Sequence, residues 1–172
     1  MLTSKWMVVV LAYSLAGFSA VETQSGQAAF DRIRQLEGRW QGTFQWSGAR
    51  ASSGEVSATY SVTGNDSAVI ENLIMQGKTV MTSVYHVDGA DLRMTHYCAA
   101  KNQPRLKATH IDESRGVVDF SFVDITNLDP TKPGHVEGLQ LRFLDPDRIT
   151  LEFTFGGDGK RSVEHIDLKR VK

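Results

Sequence analysis

From Gly38 onward the chain alternates with a period of two, and nine turn signals cut this run into ten short segments. Trp40, Phe44 and Trp46 alternate with Arg39, Gln41, Thr43 and Gln45. Val56, Ala58, Tyr60 and Val62 alternate with Glu55, Ser57, Thr59 and Ser61, and Ile149, Leu151, Phe153 and Phe155 with Thr150, Glu152 and Thr154. Successive side chains of a strand point to opposite faces, so the pattern writes strands with one buried and one wet face. The turns are Ser47-Gly48, Gly64-Asn65-Asp66, Gly77-Lys78, Asp88-Gly89, Lys101-Asn102-Gln103, 113–116, 127–134, Asp145-Pro146-Asp147 and 156–159. Nearly all are short enough for hairpins, and no long helical pattern intervenes, which excludes parallel crossovers. A ten-stranded meander exposes two edges unless it closes. The expected fold is therefore all-β, an antiparallel up-and-down barrel of about ten strands with room for a pocket.

Before the strands, Phe30, Ile33 and Leu36 recur at helical spacing, with Asp31 near the start and Gly38 past the end. They predict one short N-terminal helix that plugs an end of the barrel. Residues 21–29 are polar and small and read as a flexible leader. Residues 1–20 place Lys5 before an uncharged stretch, Trp6 to Phe18, and close on Ser19-Ala20. That order is a secretory signal peptide. The stretch is shorter than the roughly 20 apolar residues that cross a bilayer. Phe18 stands where a lipoprotein signal has its Cys. The domain is then 30–172, expected to be secreted or periplasmic, with no stable membrane insertion after cleavage.

A formal net charge of −1 gives no basic face for nucleic acid. The one cysteine, Cys98, makes no disulfide framework and no zinc knuckle, and its expected state is burial. Oligomeric state is not legible. There is no nucleophile elbow or phosphate loop, and no short-spaced metal-ligand cluster, so no metal or cofactor is expected. The partner that remains is a small molecule held inside the barrel.

Hairpin geometry predicts which residues face that interior. A three-residue loop at 64–66 pairs Tyr60 with Ile70. A Gly77-Lys78 turn pairs Ile74 with Met81 and Asn72 with Ser83, and a Gly89-Ala90 turn pairs Tyr85 with Met94 and Ser83 with His96. A three-residue loop at 101–103 brings Leu106, Ala108 and His110 to the same face. The interior set is thus Tyr60, Ile70, Asn72, Ile74, Met81, Ser83, Tyr85, Met94, His96, Cys98, Leu106, Ala108 and His110. Strand 117–126 has apolar residues on both faces and resists assignment. His96 is the candidate polar ligand contact, flanked by Ser83, Tyr85, Asn72 and Met94. Asn102, Gln103 and Arg105 form a donor-rich turn suited to a polar head group. His86 and His165 turn outward, and Lys169, Arg170 and Lys172 read as a solvated chain end. Catalysis, the third possibility, would use His96 as a base with Tyr85 or Arg105 stabilising an electrophile.

The segment Thr95-His96-Tyr97-Cys98 with Asn102-Gln103-Pro104-Arg105, behind Leu36-Glu37-Gly38-Arg39-Trp40-Gln41-Gly42, resembles an uncharacterised family of exported bacterial calycin-like (lipocalin-related) barrels. The resemblance covers most of 30–172 and implies a small-ligand-binding barrel in the bacterial envelope. It carries no catalytic roles. A fainter resemblance is to the nitrobindins, haem-binding barrels of ten strands. They also open with a helix and a Gly-x-Trp-x-Gly strand, and they ligate iron through a histidine of the last strand. Here that resemblance implies haem as the alternative cofactor and His165 as its ligand.

Overall fold

The computed structural model describes residues 20–157 and 159–172, with side chains from residue 26 onward. The proposed signal segment, up to residue 19, lies outside the described residues. One helix, α1 (Ala20–Arg34), precedes ten strands: β1 (Gly38–Gly48), β2 (Ser52–Thr63), β3 (Ala68–Met75), β4 (Lys78–Asp88), β5 (Asp91–Tyr97), β6 (Gln103–Asp112), β7 (Val117–Thr126), β8 (His135–Asp145), β9 (Arg148–Gly156) and β10 (Ser162–Arg170). Each strand pairs antiparallel with its neighbours in sequence, and β10 returns to pair with β1, so the sheet is a closed barrel. Closure removes the two edges that a meander would leave exposed. No helix among the described residues is long and apolar enough to cross a membrane.

The helix begins earlier than expected. It takes in the stretch 21–29 that reads as a leader, and Gly26, Ala29, Phe30 and Ile33 are all buried at helical spacing. Gly26 explains the miss. A Cβ there would collide with the Ala90 carbonyl of the β4–β5 turn, so glycine marks close docking of the helix and not flexibility. Across this end of the barrel the indole of Trp40 donates to the Leu36 carbonyl at 2.8 Å. The Arg170 guanidinium lies 4.4 Å from the centre of the Trp40 ring and donates to the carbonyls of Gln35 and Glu37, each at 2.8 Å. Arg170 is thus a clasp between the last strand and the helix exit, not a solvated chain end.

Two hairpins depart from their expected register. The β2–β3 turn is 64–67, one residue longer than predicted, with Gly64, Asn65 and Asp66 all at positive φ. The extra residue reverses β3: Val69, Glu71 and Leu73 face inward, and Ile70, Asn72 and Ile74 face outward. The β3–β4 turn is Gln76-Gly77, not Gly77-Lys78, with φ of 51° and 74°. A bulge between Leu73 and Ile74 absorbs the difference, so β4 still turns Met81, Ser83 and Tyr85 inward. The Gly89-Ala90 turn pairs Asp88 with Asp91, Tyr85 with Met94 and Ser83 with His96, as predicted. Leu106 and Ala108 join the core, but a bulge between Ala108 and His110 leaves His110 exposed on the outside. In β7, Val118 and Phe120 are inside. Its pairing with β8 stops at Ser121–Gly138, and beyond it Phe122 and Val123 are exposed.

Candidate functional site

The turns divide between two ends. Those at 64–67, 89–90, 113–116 and 146–147 lie at the end covered by α1, and those at 49–51, 76–77, 98–102, 127–134 and 157–161 lie at the other. The uncovered end holds a cavity of about 380 Å³. Trp46, Met75, Met81, Val136, Phe153 and Phe155 make its apolar wall, Cys98 to Ala100 contribute the β5–β6 turn, and Arg50 lines it beside Trp46. One acidic side chain, Glu164, completes the lining. A groove of about 370 Å³ between α1 and the β5–β6 strands includes Asp91, Lys107 and His110, but it lies on the outside of the barrel.

Glu164 is 1% exposed, and its Oε1 has no hydrogen-bond partner among the described residues. It stands opposite Trp46 in the β1–β10 register and opposite Phe153 in the β9–β10 register. Burial pushes its carboxyl up to about 7, against the opposing pull of a Trp46 hydrogen bond and the Arg50 charge. Arg50 spreads its guanidinium over two aromatic rings, 3.8 Å from the centre of Phe155 and 4.7 Å from that of Trp46. The site therefore pairs an apolar chamber with a buried carboxyl whose Oε1 has no hydrogen-bond partner among the described residues.

Beneath the cavity lies a second polar feature. Tyr60, Glu71, Ser83 and His96 are successive cross-strand partners on β2, β3, β4 and β5, so they form one row across the inner wall. Glu71 is its centre. One of its carboxylate oxygens accepts from Tyr60 at 2.9 Å and Tyr85 at 2.8 Å, and the other meets the Ser83 hydroxyl at 3.5 Å. Burial raises the Glu71 carboxyl to about 6 although all three hydroxyls pull it down, and burial raises both tyrosines well above their ordinary range. The Ser83 hydroxyl lies 3.0 Å from His96 Nδ1. His96 has no exposed surface, its ring is 5.2 Å from that of Phe153, and its Nε2 is unpartnered among the described residues. Burial alone lowers its pKa from 6.5 to about 4, so the ring is neutral at physiological pH.

The predicted site residues thus fall into three places. His96 and Ser83 are buried one side-chain layer below the cavity floor formed by Met81, Cys98 and Phe153, and Tyr85 and Met94 are buried a further layer below. Asn72 is on the outer face, a correction that follows from the reversed β3: it donates to Thr59 at 3.4 Å and accepts from Thr82 at 2.7 Å. Asn102 is buried but away from the cavity lining, where its amide donates to the Gly134 carbonyl at 2.9 Å and ties the β5–β6 turn to the 127–134 loop. Gln103 accepts from Thr126 at 3.1 Å, and Arg105 is exposed in an ion pair with Asp124 on the outer wall. The donor-rich turn therefore does not converge on one interior point. Glu71 and Glu164 escaped the sequence reading. Glu164 had a signal, since it lies in phase with the inward Ile166 and Leu168.

His165 is half exposed on the outside of β10, 3.8 Å from Glu152. Ile166 and Leu168 take the inward positions, so His165 does not fit the role of an interior iron ligand. No group of three or more His, Cys, Asp or Glu side chains capable of holding a metal ion occurs among the described residues.

No protein-family model matches the chain, and no curated protein matches it. Solved structures do share its fold. Rv2717c from M. tuberculosis is similar with a TM-score of 0.58 at 16% identity, over 84% of this chain and 98% of that one. A protein of unknown function from the DUF3598 family of Nostoc punctiforme matches with a TM-score of 0.56 at 14% identity, over 81% of this chain and 48% of that one. The architecture is accordingly that of a closed antiparallel ten-stranded β-barrel.

Proposed function

We propose that the protein is an exported carrier or sensor that binds a small, largely apolar molecule in the cavity at the uncovered end of the barrel. The observation that carries this reading is the cavity itself: about 380 Å³, walled by aromatic and sulfur-containing side chains, with one buried polar group. Sites for small ligands have this form, concave and mostly apolar with few polar contacts. Export is supported by the Lys5, apolar and Ser19-Ala20 order of the leading residues. The buried row around Glu71 sets the shape of the barrel below the chamber, and its hydroxyls and carboxylate satisfy one another.

The test is to fill the chamber. Cys98 is on the wall and partly buried. Cys98→Phe should occupy the space and reduce binding of ethylbenzene at least tenfold by calorimetry, while Cys98→Ala, which keeps the space open, should bind as the unaltered protein does. Equal binding by the Phe variant, confirmed as folded by circular dichroism, would place the ligand elsewhere.

A further inference from the structure

Resting on the cavity reading above, we infer that the ligand is an apolar amine whose ammonium group pairs with the Glu164 carboxylate. Three observations converge on this class. Glu164 is buried at the cavity wall with Oε1 unsatisfied among the described residues, and an unsatisfied buried acceptor is stabilised by a donor, best of all a charged one. The rings beside it are of a kind that holds a cation, since the Arg50 guanidinium lies over both Phe155 and Trp46. The rest of the wall is apolar, with Met75, Met81 and Val136, and suits a hydrocarbon body.

A carboxylate ligand is disfavoured by the same geometry. Arg50 is exposed and its guanidinium lies flat over the rings, whereas the buried charge-bearing group is Glu164. Where Glu164 is ionised, an incoming carboxylate would meet a like charge that solvent screens little. The other titratable group facing Glu164 is the Cys98 thiol on the β5–β6 turn, which burial pushes up and which therefore stays neutral. Trp46 on β1 and Phe153 on β9 are the cross-strand neighbours of Glu164, and neither carries a charge. Among common donor head groups, an ammonium is the one whose charge complements an ionised Glu164.

The experiment compares four probes of one shape on the full mature protein by calorimetry: phenethylamine, phenethyl alcohol, hydrocinnamate and ethylbenzene. The amine should bind about tenfold or more tightly than ethylbenzene, the scale of a hydrogen bond to a charged group. Glu164→Leu should abolish that advantage while ethylbenzene binding persists, and Glu164→Gln, which keeps an acceptor without charge, should bring the amine down to the level of the alcohol. Ethylbenzene that binds as well as the amine, or hydrocinnamate that binds best, overturns the amine inference and leaves the cavity reading standing. Binding of none of the four overturns the cavity reading as well.

Discussion

Replacing Glu71 with Leu should destabilise the protein by about 3–5 kcal/mol, measured as the free energy of urea unfolding at pH 7. Removing the carboxylate leaves the Tyr60 and Tyr85 hydroxyls and one side of Ser83 without their acceptor, deep in the barrel. Each buried polar group so stranded costs about 1–3 kcal/mol, and removing one member of a buried charged network costs about 3–5 kcal/mol. Relief of the desolvation that holds Glu71 near 6 offsets part of this, which keeps the total below the sum of the losses. Glu71→Gln should cost roughly half as much, because its amide oxygen still accepts from a tyrosine. A Leu variant within about 1 kcal/mol of the unaltered protein would mean that the row is not organised around this carboxylate.

Acid should act on the fold through His96. The folded ring is reluctant to take a proton, titrating near 4 where the unfolded residue titrates near 6.5. A folded pKa below the unfolded one for a base gives stability that is present above pH 6.5 and lost as the pH falls to 4. The size is roughly 3 kcal/mol at about 1.4 kcal/mol per tenfold in proton affinity. Glu71 and Glu164 act with the opposite sign. Their folded values, about 6 and about 7, lie above the ordinary 4.5, so the stability they contribute is present in acid and lost as the pH rises through that window. These two terms are common to the unaltered protein and to His96→Leu and cancel in the difference. The stability gap between the two proteins, from urea unfolding at pH 7 and pH 4, should therefore shift in favour of the variant by roughly 3 kcal/mol on acidification. A gap that does not move would contradict a neutral, buried His96.

The barrel was legible because the evidence for it is redundant. Ten alternating segments separated by short turns point to one topology, and an error in any single hairpin leaves the closed meander intact. The site was less legible because its residues depend on phase. One extra residue in the 64–67 turn exchanges Asn72 for Glu71 in the interior, and the apolar pairs Val69/Leu73 and Ile70/Ile74 give no internal clue to the correct face. His110 was lost to a bulge, which sequence spacing does not reveal. Where a Gly-containing two-residue turn sets the register, as at Gly89-Ala90, the pairing of Ser83 with His96 follows from the residues alone. Glu164 shares the inward phase of Ile166 and Leu168. A charged residue in that inward phase marks a buried group, and Glu164 is one.

The central claim, that the uncovered end of the barrel is the ligand site, is most directly tested by two-dimensional NMR of the mature protein titrated with ethylbenzene. The resonances of Trp46, Met81, Cys98, Phe153 and Phe155 should shift together and saturate at one stoichiometric equivalent, while those of Ile33, Leu92 and Trp40 at the helix-covered end stay in place. Shifts concentrated in the outer groove by Asp91, Lys107 and His110, or no saturable shift at the cavity residues, would contradict it.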